Sequence, residues 1–184
     1  MTKKLLAAEG IAVAAGATSG DGDHLGPADR RRLGLPGGRV VDVGVLEAPD
    51  GTLLVSPALE IRVAADHDFF DYQAKYEQGI TRFVVPADLD EATTVRLRGD
   101  AIRVFRTLGC AGLPRVDFFV APGGGLTVNE VSTMPELTAM SKFPRMWQAA
   151  GLPYRKLLDV LIRTALRPSG RPARALASWP GHGA

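Results

Sequence analysis

Residues Arg115 to Ser141 read RVDFFVAPGGGLTVNEVSTMPELTAMS, two β-prone runs separated by a Pro-Gly-Gly-Gly turn. That pattern predicts a β-hairpin. With the loop at Pro122 to Gly125, Ala121 pairs with Leu126, and counting outward sets Val120 against Thr127, Phe118 against Asn129 and Asp117 against Glu130. Side chains alternate faces along a strand, so Arg115, Asp117 and Phe119 share one face with Val128, Glu130 and Ser132, while Val116, Phe118, Val120 and Val131 line the other. Like charges directly opposite each other are destabilising, so the Asp117 and Glu130 carboxylates need an offset. A hard divalent cation with oxygen ligands would supply one. Arg115, two residues from Asp117 on the same face, would supply another by plain ion pairing. Spacing leaves both open.

The rest of the chain bounds the class. At 184 residues it is long enough for one domain with a proper core, or for two small ones. A formal charge of +2 gives no broad footprint for nucleic acid, although the tail after Leu166 is locally basic. The single cysteine, Cys110, excludes an internal disulfide framework and fits a reducing cytoplasm, and its LGCAG setting reads as core packing. His24, His67 and His182 are scattered without the spacing of zinc ligands. The start MTKKLLAAEG is a poor signal peptide and no segment approaches a membrane span. The expectation is a cytoplasmic protein without membrane or nucleic-acid partners.

In chain order, Thr2 to Glu9 reads as a short helix with Gly10 at its left-handed terminus, and Ile11 to Val13 as a strand. Ala14 to Gly26 reads as a flexible loop, and Pro27 opens a short helix ending near Leu33. Val41, Val43 and Val45 alternate with Asp42 and Gly44 in a strand, and a Pro49-Asp50-Gly51 turn leads into Thr52 to Ser56. Leu59 to Val63 and Arg82 to Pro86 are further strands. Asp88 with Glu91 suggests a reciprocal cap for a helix whose apolar positions are Val95, Ala101, Ile102, Phe105 and Leu108, ended by Gly109. Two more helices, Pro144 to Ala150 and Pro153 to Leu166, are each opened by proline. The second carries a stripe of Leu157, Leu158, Leu161, Ile162 and Ala165, suited to the sheet or to a dimer interface. The tail from Arg167 has the composition of a disordered segment.

RVDFF, then NEVSTMPELTAMSKFP, then an amphipathic helix, resembles the carboxy-terminal end of a D-alanine–D-alanine ligase, an ATP-grasp enzyme. FFDYQAKY (Phe69 to Tyr76), VVPADL (Val84 to Leu89) and LGCAGLPRVDFF extend the resemblance over about Val40 to Leu166. It implies an α+β fold, a partial ATP-grasp domain with a mostly antiparallel sheet flanked by helices, here expected on one face. Residues 1–39 then form a remnant of the central subdomain and linker, 40–166 the carboxy-terminal ATP-grasp domain, and 167–184 a basic tail. TKKLLAAEGIAV and ADRRRLGLP resemble the segment leading into the central subdomain. The family continues there with a lysine-bearing strand and a phosphate loop, whereas Pro36 is followed almost at once by Gly38-Arg39-Val40-Val41. The resemblance therefore lacks the ATP lid and the amino-terminal domain, and a nucleotide-pocket acid of the family falls on Val40.

The activity implied is ATP-dependent joining of two D-amino acids through an acyl phosphate, as in peptidoglycan precursor synthesis, with ATP and Mg2+ as cofactors and Mn2+ as a possible substitute for the metal. By resemblance Asp117 and Glu130 hold the metal, joined by Ser132 where the family most often has asparagine. Arg115 stabilises the oxyanion beside a backbone amide near Glu136, and Ser141 holds the carboxylate of the second substrate. Lys75 resembles a lysine reaching the terminal phosphate, Tyr76 the tyrosine that closes the site, and Phe69 an adenine contact; Asn129 falls among the nucleotide-binding positions. Lys75 with Tyr76 favours a D-alanine acceptor over D-lactate. Glu136 replaces a glycine of the oxyanion loop and puts negative charge where negative charge develops. The chain is thus expected to be impaired alone, to form a homodimer or be active with a partner chain supplying the missing half, or else to serve as a non-catalytic binding or dimerisation module.

Overall fold

A computed structural model describes residues 2–14, 38–63 and 81–167. Among these, β1 (Arg39–Glu47) is the strand around which the sheet is built. Its valines at 41, 43 and 45 are fully buried on one face, and Asp42, Gly44 and Leu46 alternate onto the other. One edge of β1 pairs with β3 (Leu59–Val63) and, further along, with β2 (Leu53–Val55); the other edge pairs with β5 (Arg115–Val120). β4 (Thr81–Val84) and β6 (Leu126–Ser132) lie outermost, giving the order β4-β3-β1-β5-β6 with every ladder antiparallel.

The helices cover both faces of this sheet, where one face was expected. α1 (Thr2–Ala8) and α2 (Glu91–Thr107) pack Leu6, Leu97, Ala101, Ile102, Val104 and Phe105 against the β1 valines, Val116, Phe118 and Val120. α3 (Lys142–Ala149) and α4 (Tyr154–Ala165) bury Phe143, Met146, Trp147 and Leu157 with Leu152 against Leu46, Leu54 and Leu59 on the opposite face. A sheet apolar on both sides needs a layer on each. α3 approaches β1 so closely that a Cβ on Gly44 would lie 2.9 Å from Phe143 Cε2 and 3.2 Å from Trp147 Nε1.

The first helix ends with Gly10 at φ +70° and α2 is followed by Gly109 at φ +62°, the left-handed termini expected at both positions. Several local expectations are corrected. Ile11 to Val13 makes only a parallel bridge between Val13 and Val128, because the segment meets the sheet at a single residue. The α2 cap is Asp90, whose side chain accepts from Thr93 N, in place of the Asp88 and Glu91 pairing. Val95 is 63% exposed, since Leu97 and Val104 take the buried face. Pro144 lies inside α3, which starts at Lys142 after Ser141. On α4, Ile162 is 59% exposed while Thr164 is buried, its hydroxyl donating to Glu47 O at 2.8 Å. A strand-end carbonyl there takes a donor in place of an apolar contact. Arg167, at the border of the tail, ion-pairs with the buried Glu47. Cys110 packs beside the α2 core, as expected, and burial raises its thiol pKa.

The hairpin combines two registers. Its outer half matches the sequence count, with Asp117 opposite Glu130, Val116 opposite Val131 and Arg115 opposite Ser132. Its inner half is one residue tighter: Phe118 faces Val128 and Val120 faces Leu126, where Asn129 and Thr127 were expected. The bend is closed by Ala121 N donating to Gly125 O and Gly124 N to Ala121 O, with Gly124 at φ +75°. The shift lies between Asp117 and Phe118, and Asn129 is the extra residue of a β-bulge. The bulge returns Val128 to the face of Phe118, where it is 2% exposed in the α2 core, away from the face expected for it.

Candidate functional site

Three carboxylates stand abreast on the α3 side of the sheet, one from each of three neighbouring strands. Asp42 on β1 is opposite Asp117 on β5, and Asp117 is opposite Glu130 on β6. Asp42 is wholly buried, Asp117 is 2% exposed, and the Glu130 side chain is 37% exposed at the outer strand. Such a row is costly without cations.

Arg115 supplies the first. Its Nε donates to Asp117 Oδ1 at 2.7 Å and its Nη2 to Asp117 Oδ2 at 2.8 Å, a two-point fork. The same guanidinium lies 3.6 Å from Asp42 Oδ2 and 3.6 Å from Glu130 Oε1, so it reaches all three acids. Desolvation opposes its charge, but the bonded and neighbouring carboxylates outweigh that and raise its pKa. Lys142, first residue of α3, supplies the second cation, with Nζ 2.6 Å from Asp42 Oδ2. That distance is one of a close, charge-assisted ion pair between two buried groups, and its pull lowers the Asp42 carboxyl against the effect of burial. Burial, reinforced by Asp117, pushes the Asp42 carboxyl up to about 7 against the pull of Lys142 and Arg115.

Ser141 precedes Lys142 as the α3 N-cap residue, and its hydroxyl pairs with Thr138 Oγ1 at 2.5 Å in place of capping the helix. The loop before it, which carries the exposed Glu136, is pinned by Tyr154 donating to Leu137 O and by Arg145 donating to Met140 O, both at 2.7 Å. Ser132 faces Arg115 across the ladder, and Asn129 sits at the bulge next to Glu130. The structure thus gathers Arg115, Asp117, Glu130 and Ser132 at one end of the β5–β6 ladder, with Asn129 beside them and Ser141 beside the lysine that reaches the row. Phe69, Lys75 and Tyr76 lie outside the described residues. Asp42 and Lys142 were missed. Asp42 carried a visible signal, an acid midway along a strand of valines.

Among the described residues no three His, Cys, Asp or Glu side chains converge as a metal cluster. The smaller demand of magnesium, one or two carboxylates completed by substrate phosphates, does fit the donors present. Asp117 and Glu130 are adjacent hard oxygen donors, Ser132 adds a hydroxyl on the same strand, and each Asp117 oxygen keeps a lone pair beyond its bond to Arg115.

The antiparallel sheet with helices on both faces is a partial ATP-grasp fold of the α+β class. The family model described as D-ala D-ala ligase C-terminus matches residues 34–163, so the chain belongs to the D-alanine–D-alanine ligase family and carries its C-terminal part. A D-alanine–D-alanine ligase of Rhodococcus erythropolis is 44% identical over 133 residues, covering 70% of this chain and 36% of the relative. One from Frankia casuarinae is 37% identical over 209 aligned positions, covering 90% of this chain and 55% of the relative. That alignment is longer than the 184-residue chain, so the relative carries residues with no counterpart here. Among solved structures, the Bacillus anthracis D-alanine–D-alanine ligase complexed with ATP superposes with a TM-score of 0.65 at 26% identity, over 90% of this chain and 65% of that one. The Enterococcus faecalis VanG D-Ala:D-Ser ligase gives 0.57 at 35% identity, over 68% of this chain and 35% of that one. The chain spans about half, or less, of the length of these curated relatives. No helix among the described residues is long and apolar enough to cross a membrane.

Proposed function

We propose that the chain carries the phosphate and acceptor end of an ATP-dependent ligase that joins two D-amino acids, D-alanine foremost, through an acyl phosphate. The observation that carries this reading is the Arg115 fork on Asp117, with Glu130 3.6 Å from the same guanidinium, at the ladder end next to the loop that leads to Ser141. In such a reaction a D-alanine carboxylate takes the terminal phosphoryl group of ATP, releasing ADP, and the amine of a second D-alanine attacks the activated carbonyl, expelling phosphate and losing a proton as the amide forms. Negative charge grows on the carbonyl oxygen, and the fixed guanidinium of Arg115 is the group to meet it. The Ser141 hydroxyl, whose hydrogen bond to Thr138 orients it, holds the acceptor carboxylate. Asp117 and Glu130, with Ser132, would hold magnesium, which when bound would neutralise phosphate oxygens. Lys75, Tyr76, Phe69 and Asn129 serve the nucleotide and the closure of the site in this reading. Because the chain spans only part of its relatives, the full reaction calls on ligase parts beyond the residues present here.

A second reading has a specific observation behind it. The same fork already neutralises Asp117, and Glu136 stands exposed in the loop where charge would develop, which suits a non-catalytic module. Loss of one oxyanion donor alone lowers turnover by about 10²–10³.

A thermal melt of the chain with and without Mg2+ and ATP separates the two. At about a hundred times its dissociation constant, bound nucleotide stabilises by about 2.7 kcal/mol, and the rise should require the metal. A cooperative melt unmoved by Mg2+ and ATP would overturn the ligase reading and leave the module.

A further inference from the structure

Among the described residues, the cations of the site are Arg115, which pairs with Asp117 and lies near Glu130, and Lys142, which pairs with Asp42. Its Nζ lies 2.6 Å from Oδ2 of Asp42, which is entirely buried. The other cation facing Asp42 among the described residues is Arg115, at 3.6 Å. Arg115 therefore has two places to go: the Asp117 fork, which it occupies at 2.7 and 2.8 Å, or the buried Asp42. A carboxylate that stays ionised when buried without a cation is strongly unfavourable, so an ionised Asp42 left alone would draw the guanidinium inward. We propose that Lys142 is a positioning residue: by satisfying Asp42 it leaves Arg115 forked on Asp117 and within reach of Glu130, facing the substrate side. This deepens the ligase reading and rests on it for the role of Arg115, but the placement of the guanidinium is measurable without nucleotide. The two can therefore fail separately.

The test is the Arg115 Nε–H signal in ¹⁵N NMR spectra of the full chain, assigned by its loss in Arg115→Lys. Lys142→Met, which keeps the stem and removes the charge, should shift that signal and speed its exchange with water. Lys142→Arg should return it to the wild-type position. The double variant Asp42→Asn/Lys142→Met should return it as well, because the buried pull is gone. A merely structural lysine would not be relieved by the change at Asp42. An Arg115 signal unmoved in Lys142→Met, with Asp42 taking up a proton to satisfy itself, overturns the proposal, and so does a shift that the double variant fails to reverse. Should Lys142→Met not fold, the double variant and Lys142→Arg decide: wild-type signals in both uphold the proposal, and a displaced signal in either overturns it.

Discussion

At the scale of single residues, Gly44 sets the distance between α3 and the strand that carries Asp42. A methyl group there would meet the rigid ring of Phe143 at 2.9 Å and the Trp147 indole at 3.2 Å, with no flexible side-chain tip to move aside. Gly44→Ala should therefore cost about 1–3 kcal/mol by overpacking, read as a lower urea midpoint with unchanged slope. An unchanged midpoint would mean that α3 rides outward freely, and the Lys142 contact to Asp42 would stretch with it. Asp42 was legible as a polar residue in an apolar strand. Its burial was not, because alternation alone treats the second face of a strand as open to water, and here α3 covers that face.

At the scale of elements, α2 shows how a cap is decided by where the chain turns. Asp90 Oδ1 accepts from Thr93 N and its Oδ2 from the Thr93 hydroxyl, both at 2.7 Å, so the helix begins at Glu91, two residues later than a cap at Asp88 implies. Asp90→Ala should lower the denaturation midpoint by removing the cap, whereas Asp88→Ala should change little; equal effects in chemical denaturation would sink the assignment. The hairpin teaches the complementary point. Its acid pair could be counted from the sequence because the alternation is strictly local. The bulge at Asn129 could not, since the demand for it comes from outside the hairpin: Val128 must point toward α2 while Glu130 must stay opposite Asp117. A one-residue slip flips faces, and a bulge is how a strand satisfies two registers at once.

At the scale of the whole molecule, the carboxylate row couples folding to pH. The Asp42 carboxyl is raised from 3.8 to about 7, chiefly by burial, so between those values the folded protein holds a proton that the unfolded chain has released. Stability from this group is fully present below about pH 4 and is lost as pH rises through about 7. Denaturation of wild type and Asp42→Asn at a series of pH values should show wild type losing ground to the variant across that window, with a constant difference above it. Titrations shared by both chains cancel in the comparison, so a difference flat from pH 4 to 7 would refute the buried assignment of Asp42.

The opposition of Asp117 to Glu130, the strands of the sheet and the helix endings at Gly10 and Gly109 follow from the sequence by itself, because strand alternation, turn chemistry and left-handed glycine are properties of neighbouring residues. The completed site is a tertiary fact. Residues 42, 115 and 142 meet only once β1 has paired with β5 and α3 has packed its aromatic face onto Gly44. Which acid a cation satisfies depends on how deeply each is buried, and burial is the property that no local pattern carries.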